Sequence, residues 1–326
     1  MTVSYYTQLR KFYGRMSFYI THFASYLIPN VFFRWQRSRL IASLPLEEQA
    51  VADRRAGYYC QAGKGTPQDD WVRVADYRYP YRKKHKFVTY FFDLYDSIRY
   101  FAPGLRFKYL FGDVNTEPAV PTFVKSRPIH TTNGVVMKLN QVRHFRFVDD
   151  TIDFAQKEDR LVCRFFLSPN QPQRVRFLEA LADHPLCDIG IINKQPAVEY
   201  AQWQKPFMTI GQMLHYKFIA CIEGNDVATS LKWVMSSNSV AVMPKPKFET
   251  WFMEGTLQSD YHYIEVKDDY SDLIEKVQYY SAHPDEAEAI IRHAHEYVAQ
   301  FRNKRLERAT SLLTAERYFM ITGQLQ

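Results

Sequence analysis

The amino-acid sequence predicts an α/β protein with a parallel β-sheet. From residue 173 onward, segments with helical hydrophobic spacing alternate with short apolar runs that are typical of buried strands. The alternation starts with the helix RVRFLEALADHP and the strand CDIGIIN, and it continues through IACIEG, ATSLKWVMSS and SVAVM. Because parallel strands are joined by crossover connections, usually helices, this order favours a parallel sheet with helices on its faces.

The chain outside this region has a different character. Before residue 173, the segments GVVMKLN, RHFRFV and DRLVCRFFL are predicted to be short strands joined by turns. After residue 270, the spacing of apolar residues predicts helices. The 326 residues contain no internal repeat, and this length suits two domains of ordinary size.

The distribution of charge excludes one class of function. The chain carries 42 basic and 35 acidic residues, a formal charge of +7. Residues 1–46 hold six of the basic residues and no acidic one, so the remainder has 36 basic and 35 acidic residues. A protein that binds duplex nucleic acid needs a basic face on its folded body. We therefore expect no nucleic-acid partner.

The cysteines and histidines show no metal-binding or disulfide pattern. No CxxC pair occurs among Cys60, Cys163, Cys187 and Cys221. They are predicted to be buried free thiols in a reducing compartment. There is no DxD pair, and His293 and His295, two positions apart on a predicted helix, point in different directions. These observations predict a protein without a metal. The sequence also has no secretory signal pattern, which predicts a cytoplasmic protein.

The N-terminal segment, residues 1–45, combines basic and aromatic residues. Its apolar positions recur at helical spacing. Polar residues and a proline interrupt the uncharged run 16–33, which argues against a membrane span. An aromatic helix with basic flanks is typical of a segment that lies in the lipid headgroup layer. We predict peripheral membrane contact through residues 1–40; the alternative is a helix packed on the protein with a solvated basic face.

The segment CIEGNDVATSLKWVMSSNSVAVM, residues 221–243, is predicted to form a strand end, a loop, a helix and a second strand. Gly224 ends the first strand. Four polar residues lie between it and the helix: Asn225, Asp226, Thr229 and Ser230. Free N–H groups at a helix start attract phosphate, and Lys232 would add a positive charge. The segment has neither GxGxxG nor GxxxxGK[ST], so an ordinary capped turn is the alternative.

Two further segments carry candidate residues. Asp113 follows an aromatic strand and Gly112, in a loop with three prolines. A carboxylate held in such a loop can act as a general base, although an aspartate that caps its own turn is the alternative. In CRFFLSPNQPQRVRF, three arginines flank a Ser-Pro-Asn loop: Arg164, Arg174 and Arg176. Guanidinium groups bind phosphate oxygens in bidentate fashion, which makes this loop a candidate phosphate site.

In order along roughly residues 105–300, these segments resemble glycosyltransferase family 90. The resemblance is carried by GDVNTEPAVPTFVKSRPI, KLNQVRHFRFVDD, RLVCRFFLSPNQPQRVRF, YKFIACIEGNDVATSLKWVMSSNSVAVMPKPKFETWF and YHYIEVKDDYSDLIEKVQYY. The last two segments are the most specific. The family includes protein O-glucosyltransferases, fungal capsule-associated transferases and bacterial lipopolysaccharide core transferases, and the sequence is most similar to the LpsA-type core enzymes.

The resemblance implies a GT-B architecture, in which two Rossmann-like domains face a cleft and the C-terminal one binds a nucleotide sugar. It implies inverting, metal-independent transfer from a UDP-hexose, with no cofactor. Asp113 matches the family's catalytic base, because it precedes PAVPTF as the family's aspartate precedes its Pro-Val-Pro segment. Arg164 matches the arginine of a Phe-Arg-Gly motif. Ser230 and Lys232 match a serine and a basic residue that contact the UDP pyrophosphate.

Other residues complete the predicted donor site. Glu223, which precedes the glycine of the loop, is predicted to bind the ribose hydroxyls. The predicted set also contains Arg174, Gly224, Asn225, Asp226 and Thr229. The sequence departs from the family at two points. The Phe-Arg-Gly motif is Cys163-Arg164-Phe165 here, and the loop GNDVATSLK is longer than in the animal enzymes.

We therefore predict an enzyme on the inner face of the inner membrane of a Gram-negative bacterium. It would transfer glucose or galactose from a UDP-sugar to the inner core of lipopolysaccharide. The alternatives are a family 90 transferase acting on capsular polysaccharide or on protein Ser/Thr, and a non-catalytic carbohydrate-binding module. Four parts are predicted: the N-terminal segment 1–45, an acceptor-side domain 46–160 with the catalytic base, a nucleotide-sugar-binding domain 161–300, and a C-terminal helix 301–326.

Overall fold

The computed structural model describes residues 16–79 and 87–326. They divide into two units. Among the described residues, the N-terminal unit contains 16–79, 87–143, 248–253 and 301–326, and the C-terminal unit contains 144–247 and 254–300. The predicted contact through residues 1–40 lies partly outside the described residues, because residues 1–15 are not among them.

The strands of the described residues are β1 (Val72–Arg73), β2 (Arg106–Phe107), β3 (Tyr109–Leu110), β4 (Thr122–Val124), β5 (Ser126–Pro128), β6 (Gly134–Val136), β7 (Glu158–Phe165), β8 (Cys187–Ile191), β9 (Tyr216–Ala220), β10 (Val240–Pro244), β11 (Phe248–Thr250) and β12 (Ile264–Val266). The α-helices with defined bounds are α1 (Asn30–Ala42), α2 (Leu46–Tyr59), α3 (Val88–Ile98), α4 (Gln141–His144), α5 (Pro172–Leu181), α6 (Ile210–Met213), α7 (Leu231–Val234), α8 (Leu273–Ala282), α9 (Pro284–Ala299) and α10 (Lys304–Ile321).

The C-terminal unit is built on a five-stranded sheet in the order β12-β10-β9-β7-β8. All of its pairings are parallel. Its strands are buried along most of their length, as expected for a parallel sheet covered on both faces. The predicted parallel α/β region is therefore confirmed.

The strand order determines which loops lie next to each other at the carboxyl ends of the strands. The chain leaves β7 towards β8 on one side of the sheet, whereas it leaves β9 towards β10 on the other side. Loops that depart in opposite directions open a crevice between the carboxyl ends of two adjacent strands, and ligands bind at such switch points in α/β sheets. In this unit the crevice lies between the loop after β7 and the loop after β9.

Successive side chains of strand β7 point to opposite faces of the sheet. Leu161, Cys163 and Phe165 alternate along the strand and face a core that includes Phe177 and Phe218. Cys163 is therefore a buried free thiol, and burial raises its pKa to about 12. The intervening Arg164 is placed on the opposite face of the sheet by the same alternation.

The N-terminal unit has small sheets and a large aromatic core. Its three-stranded sheet has the order β3-β4-β6 with parallel pairing, and β5 pairs antiparallel with β11. The core contains many of the rings of this aromatic-rich chain: Tyr77, Phe91, Phe92, Tyr95, Phe107, Phe123, Tyr318 and Phe319. Packing between these rings, rather than a long hydrogen-bonded sheet, builds the unit.

Two buried charged groups join distant segments of the N-terminal unit. Glu307 of α10 accepts a hydrogen bond from Trp251 Nε1 at 2.8 Å and pairs with Arg55 at 2.7 Å. The Tyr59 ring stacks on the Trp251 ring with centroids 3.9 Å apart. These contacts place residues 248–253 and 301–326 in the same unit as α2. The unit boundaries thus differ from the predicted ones: residues 144–160 belong to the C-terminal unit, and residues 301–326 are part of the N-terminal unit.

One predicted strand is wrong. The segment RHFRFV, residues 143–148, contains the end of helix α4 and no strand. The backbone N–H and the side-chain amide of Gln141 both donate to the buried Asp93 carboxylate, at 3.0 Å each. These bonds hold the start of the short helix α4, and residues 145–148 after it have no regular secondary structure. The predicted strands GVVMKLN and DRLVCRFFL contain β6 and β7, as expected.

Candidate active site

Asp113 lies on an exposed turn after β3 in the N-terminal unit. Gly112 before it has φ +105°, a conformation that side chains with a Cβ rarely adopt. The backbone N–H of Val114 donates to Ser126 Oγ at 3.3 Å. The turn is thereby tied to β5, and the Asp113 side chain is 37% exposed.

The Asp113 carboxylate is bound by a lysine that the sequence analysis missed. Lys125 Nζ lies 2.6 Å from Asp113 Oδ1. Lys125 is the single residue between β4 and β5, and its side chain is 2% exposed. The sequence contained one indication of this pair: Lys125 directly follows the apolar residues of PTFV. A charged side chain next to buried residues is rarely buried itself unless it is paired.

In the C-terminal unit, Arg174 holds the two loops of the crevice together. Its Nη1 donates to the carbonyl of Phe166 at 2.7 Å, in the loop after β7. Its Nε and Nη2 donate to the carbonyls of Glu223 and Ile222, both at 3.1 Å, in the loop after β9. Arg174 thus uses donors on protein carbonyls, which makes it a residue that positions loops.

Two glutamines complete this arrangement, and the sequence analysis missed both. Gln173 Nε2 donates to the Gly224 carbonyl at 2.7 Å, and Gln171 Nε2 donates to Asn225 Oδ1 at 3.0 Å. They flank Pro172, the first residue of α5, where proline is typical of a helix start. That start follows β7, so the polar residues beside it were candidates for the crevice.

Gly224 has a steric role here. A Cβ at this position would lie 2.9 Å from Arg174 Nη2 and 3.2 Å from Gln171 Nε2. Any other residue would therefore displace the side chains that hold the loop. Next to it, Glu223 Oε1 accepts a hydrogen bond from the backbone N–H of Lys247 at 3.1 Å.

The other polar residues of the loop differ in exposure. Asn225 is exposed, whereas Asp226 is buried and does not fit the predicted contact with a donor. Thr229 and Ser230 are half-buried. Ser230 has helical dihedral angles without capping α7, and its hydroxyl donates to Cys221 Sγ at 3.6 Å. Because α7 has only four residues, it supplies a small dipole to this loop.

The predicted phosphate role of Lys232 does not fit its position. Its side chain is fully buried and its Nζ is ion-paired with the Glu254 carboxylate, which is 1% exposed. A phosphate would have to displace this carboxylate to reach the ammonium. Breaking a pair whose two members are both buried is costly, so the pair is a structural element of the C-terminal unit.

Arg164 is also used within the protein. Its Nη2 pairs with Asp188 Oδ1 at 2.7 Å, and its Nη1 donates to the Asp188 and Cys163 carbonyls. Its Nε donates to the Pro206 carbonyl at 3.2 Å. These partners bind the guanidinium to β8 and to the segment after it. Arg164 therefore does not fit the predicted contact with a leaving group.

Among residues 16–79 and 87–326, no group of three or more His, Cys, Asp or Glu side chains is arranged to hold a metal ion. Within the same residues, no helix combines the length and the apolar character that crossing a membrane requires.

Comparison with known proteins identifies the class of this fold. The family Glycosyl transferase family 90 matches residues 173–308, which include the loop after β9 of the C-terminal unit. The protein described as O-glucosyltransferase LpsA, from Dichelobacter nodosus, is 38% identical over 315 residues, covering 94% of this chain and 96% of that protein. The chain is therefore a glycosyltransferase. It belongs to glycosyltransferase family 90 and is of the LpsA type.

Proposed function

We propose that the chain transfers a hexose from a UDP-sugar to the inner core of lipopolysaccharide, with inversion and without a metal. The name of the relative from Dichelobacter nodosus supports a glucose donor, and galactose is the alternative hexose. The observation that carries the proposal is the exposed Asp113 carboxylate, which is held from beneath by a buried lysine. We further propose a GT-B arrangement, with the acceptor at the N-terminal unit and the donor at the C-terminal unit.

In this mechanism Asp113 is the general base. Its ionised carboxylate accepts the proton of the acceptor hydroxyl while that oxygen forms a bond to C1 of the donor sugar. The bond between C1 and the β-phosphate oxygen breaks, and UDP leaves with the electron pair. Attack from the face opposite to UDP inverts the configuration at C1. Proton transfer to a positioned base typically contributes ~10²–10⁴ in rate.

We place the nucleotide at the crevice formed by the loops after β7 and β9. The switch point between these strands supports this position, as do the polar side chains that order the loop 223–226. Glu223 would bind the ribose hydroxyls, and Asn225, Thr229 and Ser230 would contribute polar groups. Lys232 and Arg164 are omitted from the donor site because both are engaged within the protein.

The test is Asp113→Asn, assayed with UDP-glucose and UDP-galactose. We expect turnover to fall ~10²–10⁴-fold, because the amide cannot accept the proton. The thermal shift produced by UDP should stay unchanged, since the donor site lies in the other unit. Asp70→Asn is a matched control, because Asp70 is an exposed acid in the same unit, 2.8 Å from Lys108 Nζ. Near-normal turnover in Asp113→Asn would exclude it as the base.

Two alternatives can be separated by simple measurements. Hydrolysis of a UDP-sugar by the purified protein would exclude a non-catalytic carbohydrate-binding module. Lipopolysaccharide from cells that lack the protein should be missing a core hexose. An intact core together with altered capsular polysaccharide or altered protein glycosylation would assign the enzyme to one of the other acceptors.

We also propose that the enzyme is peripheral on the inner membrane. Residues 16–26 are helical and are followed by α1. Rings on the inner side of this segment pack against the aromatic core: Phe18, Phe23, Tyr26 and Phe33. Seven large apolar side chains remain exposed, here called the outer patch: Met16, Ile20, Leu27, Ile28, Val31, Phe32 and Trp35.

The charges around the outer patch suit an anionic lipid surface. The segment 16–46 contains no acidic residue, and the exposed Arg34 lies within α1. The Arg39 guanidinium lies 3.7 Å from the centroid of the Trp35 ring. Arg99 fixes the turn between the two helical segments, because it donates to the Ile28 carbonyl at 2.8 Å. Basic and aromatic side chains in this combination bind at the lipid headgroup layer.

Point substitutions test membrane contact better than a deletion, because the inner side of the segment is part of the core. The protein should co-sediment with vesicles of phosphatidylcholine and phosphatidylglycerol, and less with phosphatidylcholine alone. Phe32→Ser with Trp35→Ser should weaken this binding. Val198→Ser, at an exposed position of the C-terminal unit, is the control. Equal binding by both variants would exclude the outer patch, and self-association lost in the first variant would assign the patch to a second copy.

A further inference from the structure

The pair formed by Asp113 and Lys125 has an unusual distribution of burial. The lysine side chain is 2% exposed, whereas the carboxylate is 37% exposed and 2.6 Å away. Burying a lysine stem beneath a surface turn costs side-chain entropy and removes the ammonium from water. Its carboxylate partner is the group that remains accessible to a substrate.

We propose that Lys125 is a positioning residue for Asp113 in the transfer reaction. The proposal rests on the general-base role of Asp113. Lys125 contacts Oδ1, and it approaches from the interior, from the junction of β4 and β5. A contact to one oxygen from below restricts rotation of the carboxylate and directs it outward. The short strands on both sides of Lys125 fix its backbone, so the orientation is set by the fold.

The positive charge has a second effect on the same carboxylate. An ammonium in contact with a carboxylate favours its ionised form, which is the form able to accept a proton. Lys125 therefore extends the range of pH in which Asp113 is a competent base towards lower pH. The orientation of the Asp113 carboxylate affects kcat. The charge of Lys125 affects the pH at which activity is lost on the acid side of the pH profile, here called the acid limb. The two effects can be measured separately.

The experiment compares Lys125→Met with Lys125→Arg in the full chain. Methionine retains the apolar stem and removes the charge. We expect kcat to fall roughly 10- to 100-fold, the size of effect produced by a misplaced catalytic group. The acid limb of the pH profile should move to higher pH, because the carboxylate without its cation holds a proton more tightly. Lys125→Arg should restore the acid limb, and the UDP-induced thermal shift should be the same in all variants.

A double variant distinguishes this role from a purely structural one. In an Asp113→Asn background, Lys125→Met should cause no further loss of kcat, because the residue acts through the carboxylate. Lys108→Met is the matched control, since Lys108 pairs with Asp70 at 2.8 Å in the same unit. It should leave both kcat and the acid limb unchanged.

The outcomes that overturn the proposal differ from those that overturn the proposed function. An unaffected Asp113→Asn enzyme would remove the general base itself. If Asp113→Asn is impaired while Lys125→Met keeps a normal kcat and acid limb, the base stands and Lys125 has no positioning role. An additive loss in the double variant would mean that Lys125 acts independently of Asp113.

Discussion

Each unit contains a buried lysine that is paired with a carboxylate, but the two pairs differ in the position of the acid. In the C-terminal unit, Lys232 and Glu254 are 0% and 1% exposed. In the N-terminal unit, Lys125 is 2% exposed and Asp113 is 37% exposed. The first pair is enclosed by protein, whereas the second ends at the surface. The two pairs therefore differ in whether solvent reaches the carboxylate, and only the Asp113 carboxylate is accessible as the proposed function requires.

The largest effect predicted from this comparison is on stability. Lys232→Met removes the partner of a buried carboxylate and should lower the free energy of unfolding by about 3–5 kcal/mol. Urea denaturation of the full chain measures this change. A stable Lys232→Met protein with weakened UDP binding would contradict the structural role and would return Lys232 to the donor site.

The control for this prediction removes both charges. Glu254→Gln combined with Lys232→Met removes both charges of the pair, so it should recover much of the stability lost in the single variant. The UDP-induced thermal shift of the double variant should match that of the unchanged protein. A double variant as unstable as Lys232→Met alone would show that packing, and not charge, is what Lys232 contributes.

A second prediction concerns Asp93, a buried carboxylate whose hydrogen-bond donors are the neutral amides of Gln141. Burial is the largest cause that raises its pKa, to about 7, although the Gln141 bonds and the nearby His22 oppose the rise. The folded protein then binds this proton more tightly than the unfolded chain. Its contribution to stability is complete below the ordinary pKa near 4 and is lost as pH rises through about 7.

The difference between the protein and Asp93→Asn isolates this contribution. Between about pH 4 and 7, the free energy of unfolding of the unchanged protein should fall relative to Asp93→Asn by up to about 1.4 kcal/mol per pH unit. Asp69→Asn, measured in parallel, controls for the loss of a carboxylate at an exposed position. A pH-independent difference for Asp93→Asn would contradict the raised pKa.

A third prediction concerns Arg174, whose guanidinium binds three carbonyls of the crevice loops. Arg174→Met should lower stability by roughly 1.5–3 kcal/mol, the range for hydrogen bonds to a charged group. It should also weaken UDP binding, because the loop 223–226 loses its support. Arg176→Met, an exposed position of the same helix, should change neither quantity. Unchanged UDP affinity in Arg174→Met would separate this loop from the donor.

The two units also differ in how far their folds could be predicted. Four of the five strands of the C-terminal sheet, β7 to β10, were predicted from local patterns, whereas β12, which has only three residues, was not. The N-terminal unit depends on contacts between distant residues, such as the stacking of Tyr59 on Trp251 across 192 positions. Strands of two or three residues, such as β2 and β3, leave almost no periodic signal.

Prediction of single residues in the candidate site was limited in the same way, because their contacts are with residues distant in the chain. The resemblance to family 90 selected Asp113, which lies on an exposed turn. It also selected Arg164 and Lys232 as phosphate ligands, because the sequence shows charges but not their partners. Asp188 and Glu254 engage those charges, and they lie 24 and 22 positions away in the chain. Lys125 was missed because the sequence does not show that it pairs with Asp113, which lies 12 positions earlier in the chain.

The smallest predicted effect is the loss of stability in Lys125→Met. Comparing it with the loss in Lys232→Met distinguishes the two lysine–carboxylate pairs. Lys125→Met, the same substitution as Lys232→Met, should lower the free energy of unfolding by no more than about 1 kcal/mol. The reason is that the Asp113 carboxylate is exposed and can be hydrated by water when Lys125 is replaced, whereas Glu254 would stay buried. Both variants are measured by urea denaturation under one set of conditions. A loss in Lys125→Met as large as that in Lys232→Met would show that the pair of Asp113 and Lys125 is also structural, and it would remove the distinction on which their proposed roles rest.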